Sequence, residues 1–129
     1  MNKLQNYVEN LNGMIRQSQS EFRLYEKDHN PLFLQQAGEK LFNAVYSYIT
    51  LRTGIEIEGF QHATKVATDK SDVKLLYDAR ELHRYFYNFR EQYPIEKDAV
   101  DQYNKVIKRL KEKIRKNLIG RYKIDKSVL

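Results

Sequence analysis

Leu4, Val8, Leu11, Ile15, Phe22 and Tyr25 follow one another at intervals of three, four or seven residues, and Ser18 fills the longest gap in the line. Side chains that return to one side at this period form a helical stripe, and a strand cannot gather them on one face. The spacing predicts a bundle-forming helix over roughly residues 2 to 28. Asn30-Pro31 then offers an N-cap followed by a proline at the first helical position. The helix it opens runs to about Thr53, where Gly54 can end it. Its apolar positions Phe33, Leu34, Ala37, Leu41, Phe42, Val45, Tyr48 and Ile49 sweep about half the wheel, wider than one core contact demands. A second copy packed on that face, giving a homodimer, would account for the width. Gly38, in the middle of this helix, reads as a close helix–helix contact.

The segment GIEIEGF reads as a connection, with a short helix after it around Gln61 to Ala67. Ser71 or Asp72 can cap a third long helix that ends before Pro94, with Leu75, Ala79, Leu82, Phe86 and Phe89 as its core line. A fourth extends from about Glu96 to Leu118, with Val100, Tyr103, Ile107, Leu110, Ile114 and Leu118 inward and Gly120 as its stop. No strand-like alternation interrupts these patterns. The expected fold is all-α: an antiparallel up-and-down four-helix bundle with an additional short helix, one domain over 1–120 and a basic tail over 121–129.

Composition narrows the chemistry. The chain has no cysteine, which removes disulfides, thiol nucleophiles and thiolate metal sites. Its three histidines show no metal-ligand spacing, and no Glu-x-x-His pair is present, so neither metal nor cofactor is expected. The start MNKLQNYVEN has no signal-peptide pattern, and the uncharged run LFNAVYSYITL is about half a membrane span. A cytoplasmic location and no membrane partner are therefore expected. The net charge of +6 is uneven: residues 105–129 hold ten Lys/Arg against two acidic groups. Such a surplus can attract RNA or a nucleotide, and Lys105, Lys108, Arg109, Arg115 and Lys116 are the candidate phosphate contacts. The cations surround the apolar line on several sides, so a solvated helix surface is the competing reading.

The stretch ARELHRYFYNF, residues 79–89, concentrates the remaining polar chemistry. With Arg80 at zero on a helical wheel, Arg84 falls near +40°, Tyr87 near −20° and His83 near −60°, so the four share one face. His83 lies at the border of the core line, where an imidazole can keep one nitrogen wet. It could deprotonate a ribose 2′-hydroxyl while Arg80 or Arg84 stabilises the phosphorane, and Tyr87 could stack on a base. The competing reading has His83 satisfied within the fold and the arginines in water.

Two stretches carry a family resemblance: QQAGEKLFNAVYSYI at 35–49 and LYDARELHRYFYN at 76–88, with His62 after the connecting loop. Together they resemble the HEPN superfamily of helical bundles, in particular its PaREP1-like archaeal branch, over roughly residues 30 to 115. The resemblance implies a dimeric all-helical bundle. Many such proteins are metal-independent RNases, often toxins beside a nucleotidyltransferase antitoxin, and others only bind nucleotides or RNA. The RNase members place an arginine four to six intervening residues before the histidine. Counting back from His83, those positions hold Asp78, Tyr77 and Leu76 here. Arg80 is only three residues before it, while a His-x-Tyr ending survives as His83 and Tyr85. The expectation is therefore a nucleotide- or RNA-associated binding module in a toxin–antitoxin or defence setting, with a nucleotidyltransferase as its candidate protein partner. The alternatives are a divergent metal-independent RNase using His83 with Arg80 or Arg84, and a homodimeric interaction protein without nucleic-acid binding.

Overall fold

The computed structural model describes residues 3–88 and 96–129, and every described regular element is helical. Helix α1 spans Lys3–Asp28, α2 Pro31–Thr53, α3 Phe60–Val66, α4 Lys70–Tyr87 and α5 Glu96–Asn117, followed by a single 3-10 turn at Lys126–Val128. The expected core position Phe89 and the expected stop before Pro94 lie outside the described residues.

Local signals explain most boundaries. His29 ends α1 in the left-handed region (φ 57°), its N–H donating to Tyr25 O at 2.7 Å. Asn30 Oδ1 accepts from Leu32 N at 3.0 Å with Pro31 opening α2, and Gly54 (φ 75°) closes it through a 2.7 Å bond to Thr50 O. The cap of α4 differs from expectation. Asp69 takes that role, accepting from Ser71 N at 2.8 Å, and Asp72 is drawn into the interior instead.

Side-chain pairs fix the directions. Ser18 meets Ala37 across α1 and α2, and Tyr7 meets Glu56 nearer the other end. Gly38 lies against Phe86 while Tyr48 bonds Asp72, so α4 runs antiparallel to α2. Arg109 pairs with Asp78 and Tyr85 with Asp98, which makes α5 antiparallel to α4. Helices α1 and α5 meet chiefly through side chains: Tyr103 stacks on Phe22 with centroids 3.9 Å apart and shares a 2.7 Å hydrogen bond with Ser18. Ser18, an apparent gap in the α1 stripe, is thus a fully buried polar tie that also donates to Ala37 O at 2.7 Å.

Helix α2 occupies the centre, packed on α1, α3, α4 and α5. Ala44, Ser47, Thr50 and Leu51 are buried along with the predicted positions Leu34, Ala37, Leu41, Val45, Tyr48 and Ile49. Most of the apolar arc is thus covered inside the chain, while the expected positions Phe33 and Phe42 stay half-buried at its edge. Gly38 makes the α2–α4 crossing close: a Cβ there would stand 2.8 Å from Phe86 Cδ2 and 3.6 Å from His83 Cα.

Residues 121–129, expected as a free basic tail, fold back instead. Ile124 and Val128 join the core, Tyr122 donates to Leu51 O at 2.8 Å, and Asp125 pairs with Arg16 at 2.6 Å. Ile124, Val128 and Leu129, set with Tyr122 among five charged or polar residues, give no helical stripe, so the burial of this segment depends on tertiary docking.

Candidate functional site

The α2–α4 crossing creates a surface groove of about 470 Å³. From α4 come His83 and Tyr87; from α2 come Phe42, Tyr46, Gln35 and Asn43. The close approach at Gly38 brings the two helices together there, and the half-buried His83 rises directly beside it. Its imidazole lies against Phe42 with centroids 5.8 Å apart and planes at 30°. Phe42 in turn contacts Tyr46 at 4.7 Å. Tyr87 is 68% exposed, and its carbonyl, at the α4 terminus, accepts from Gln35 Nε2 at 3.3 Å. Burial raises the Tyr46 hydroxyl above its ordinary value, and the positive charge of Arg80 offsets part of that. Among the described residues His83 makes no side-chain hydrogen bond or ion pair, and its ring contact is with Phe42.

The two candidate arginines separate. Arg80 folds toward α3, its guanidinium carbon 4.0 Å above the Phe60 ring and 5.3 Å from that of Tyr77. Its Nε is buried without a hydrogen-bond partner among the described residues. Arg84 is 61% exposed, with Glu81 at 3.6 Å, and is not among the residues that line the groove. The wheel puts both on one face, but docking of α3 removes Arg80 from it.

The basic residues of α5 do not form one track. Arg109 is tied to Asp78 and Arg115 donates to Leu129 O. Lys105, Lys108 and Lys116 are exposed and carry no ion pair among the described residues. Lys105 and Arg109 border a cleft of about 690 Å³ between α4 and α5, on the other side of α4 from His83. Lys74, Asp78, Glu81 and Asp98 line the same cleft, so its charge is mixed. There Tyr85 donates to Asp98 at 3.1 Å, and burial, reinforced by that carboxylate, pushes its hydroxyl up to about 12.

A polar network went unpredicted. Asp72, 2% exposed, accepts from Tyr48 Oη at 2.9 Å, Arg52 at 2.5 Å and Lys113 at 2.8 Å. Asn117 Nδ2 also donates to Tyr48 Oη at 2.9 Å. Burial, and then the Asp72 charge, raise the Tyr48 hydroxyl strongly, which keeps it protonated. The hydroxyl and backbone N–H of Ser71 hold Asp69 well below the usual carboxylate range. Arg52 and Lys113 are balanced by the buried Asp72 and by Asp69, which Arg52 also meets at 3.1 Å, so the network anchors α2, α4 and α5.

His62 is likewise used structurally, its Nδ1 accepting from Glu58 N at 3.0 Å in the α2–α3 connection. No group of three His, Asp or Glu side chains is arranged for a metal ion among the described residues. No helix among the described residues is long and apolar enough to cross a membrane. Of the site residues, sequence reasoning missed Phe42, Tyr46, Gln35 and Asn43. The signal was present: Gln35, Glu39, Phe42, Asn43 and Tyr46 recur at helical spacing along the edge of α2. The chain matches no family model, no curated protein and no solved structure.

Proposed function

We propose that this chain is a HEPN-like four-helix bundle that acts in the cytoplasm as a nucleotide- or RNA-associated binding module, taking a base into the α2–α4 groove. One observation carries the reading: His83, Phe42, Tyr46 and the exposed Tyr87 line the same groove as the amides of Gln35 and Asn43. Rings supply stacking surfaces for an unpaired base, amides can meet a base edge, and the exposed Arg84, next to His83 in sequence, can take a phosphate. The α5 cations then add general attraction and are not the recognition site. A homodimer formed over this face, where Leu32, Tyr77 and Tyr87 are exposed, would enclose the groove further.

Fluorescence anisotropy with a labelled single-stranded RNA tests the reading. Tyr87→Ala removes an exposed ring, so it should spare the fold and weaken binding by about 1–3 kcal/mol, the value of one stacked base. Unchanged binding in Tyr87→Ala and Phe42→Ala would overturn it. A metal-independent RNase is the second reading, favoured by the half-buried His83 imidazole in the groove and the exposed guanidinium of Arg84, its neighbour in sequence. In that case Arg84, and not the ring-bound Arg80, stabilises the phosphorane. Cleavage without metal that disappears in both His83→Ala and Arg84→Ala but persists in Arg80→Lys would establish it.

A further inference from the structure

On the edge of the molecule opposite the α2–α4 groove, α1 and α5 stand apart and are bridged by side chains. The space between them is a groove of about 230 Å³. Its floor is hydrophobic and rigid: the stacked rings of Phe22 and Tyr103, 5% and 2% exposed, with Ile107 beside them. Its walls are cationic and amide. Arg23 and Gln19 come from α1, and Lys111 and Asn104 from α5. Glu26 is the one carboxylate among the lining residues.

Lys111 is the informative residue. It is half-buried, yet its ammonium donates to a neutral acceptor, Gln19 Oε1 at 2.8 Å, and to no carboxylate among the described residues. Burial, then the positive charges of Arg115 and Arg23, hold it below the ordinary lysine value. Neither Lys111 nor Arg23 is in an ion pair among the described residues, whereas Arg52, Arg109 and Lys113 elsewhere in the fold each have a carboxylate. A cluster of like charges around a ready-made concavity is costly when empty and stabilised when an anion enters.

We propose that the α1–α5 groove is an anion site for a phosphoryl group, held by Lys111 and Arg23 over the Phe22–Tyr103 floor. Asn104 and Gln19 add hydrogen-bonding amides at its sides. Two lining cations, Arg23 and Lys111, with the field of Arg115 acting on Lys111, outweigh the single Glu26 and suit a doubly charged phosphate better than a carboxylate or chloride. The phosphoryl group can belong to a small molecule or to the backbone of a nucleic-acid strand. The site is independent of the base groove on α2 and α4.

Thermal unfolding in sodium phosphate and in sodium chloride at matched ionic strength provides the first test. Phosphate should raise Tm above its value in chloride, and calorimetric titration should give saturable binding. Lys111→Gln should weaken phosphate binding about tenfold or more, as expected on losing a charged hydrogen bond. In chloride the same variant should melt at a higher temperature than the parent, because the repulsion with Arg23 and Arg115 is relieved. That second readout separates loss of the site from loss of the fold. Lys108→Gln, on an exposed part of α5, should bind phosphate as the parent does. Competition by single-stranded oligouridylate would assign the phosphoryl group to a strand, and competition by ADP alone to a small molecule. Equal Tm in phosphate and chloride, or undiminished phosphate binding by Lys111→Gln, would overturn the proposal.

Discussion

At the scale of single residues, two positions govern the architecture of the groove. Gly38 admits Phe86, which is fully buried and has no room to retreat. Gly38→Ala should cost about 1–3 kcal/mol in overpacking, partly offset by the better helix propensity of alanine. Urea denaturation should therefore show a net loss near 1 kcal/mol, and the His83 environment should shift with it. Asp72 is the second. Asp72→Asn keeps the shape but leaves Lys113 without a carboxylate and Arg52 with Asp69 alone, and should destabilise by about 2–4 kcal/mol. Arg52 is 27% exposed and keeps a path to water, which holds the loss at the lower end of that range. Angular reasoning located His83 at the edge of the core because that position depends on α4 alone. It misplaced Arg80, since the ring that captures its guanidinium belongs to α3, and no periodicity within α4 encodes that docking.

At the scale of elements, long helices with continuous stripes were legible, and short or mixed segments were not. The α1 line from Val8 to Tyr25 is buried as its spacing requires, and Asn30-Pro31 and Gly54 bracket α2 as their chemistry requires. The cap of α4 was shifted because Asp69, Ser71 and Asp72 offer similar local bonds; Arg52 pairs with both aspartates, and Tyr48 and Lys113 hold Asp72 as the inward one. The segment 121–129 shows the same limit. Its docking, through Ile124 and Val128 in the core, the Tyr122 bond to Leu51 O and the Arg16–Asp125 pair, should make a net contribution to stability. A chain ending at Gly120 should melt correspondingly earlier by circular dichroism while keeping its helical content. An unchanged Tm would show that this segment adds nothing.

At the scale of the whole molecule, α2 is the axis on which the other helices pack, and buried tyrosines tie helices together, Tyr48 joining α2 to α4 and Tyr103 joining α5 to α1. That choice of residue predicts an alkaline weakness. Burial raises the Tyr48 and Tyr103 hydroxyls above 10, and Tyr85 reaches about 12. The folded state then holds these protons more tightly than the unfolded state, so stability is complete below pH 10 and falls as pH rises toward 12. Lys111, held below its ordinary value, acts in the opposite sense and offsets only part of the loss. Chemical denaturation at pH 8, 10 and 11 should show midpoints that decline only across the upper interval, as the tyrosine shifts imply.

The central claim is that a base enters beside His83. The chain has three histidines, and His29 and His62 lie outside the groove, so they serve as internal controls. The direct measurement is a titration of single-stranded RNA into protein labelled at its imidazoles, followed by NMR. The account predicts that the His83 ring signals shift and saturate while those of His29 and His62 hold still. A stationary His83, or three signals drifting together, would contradict it.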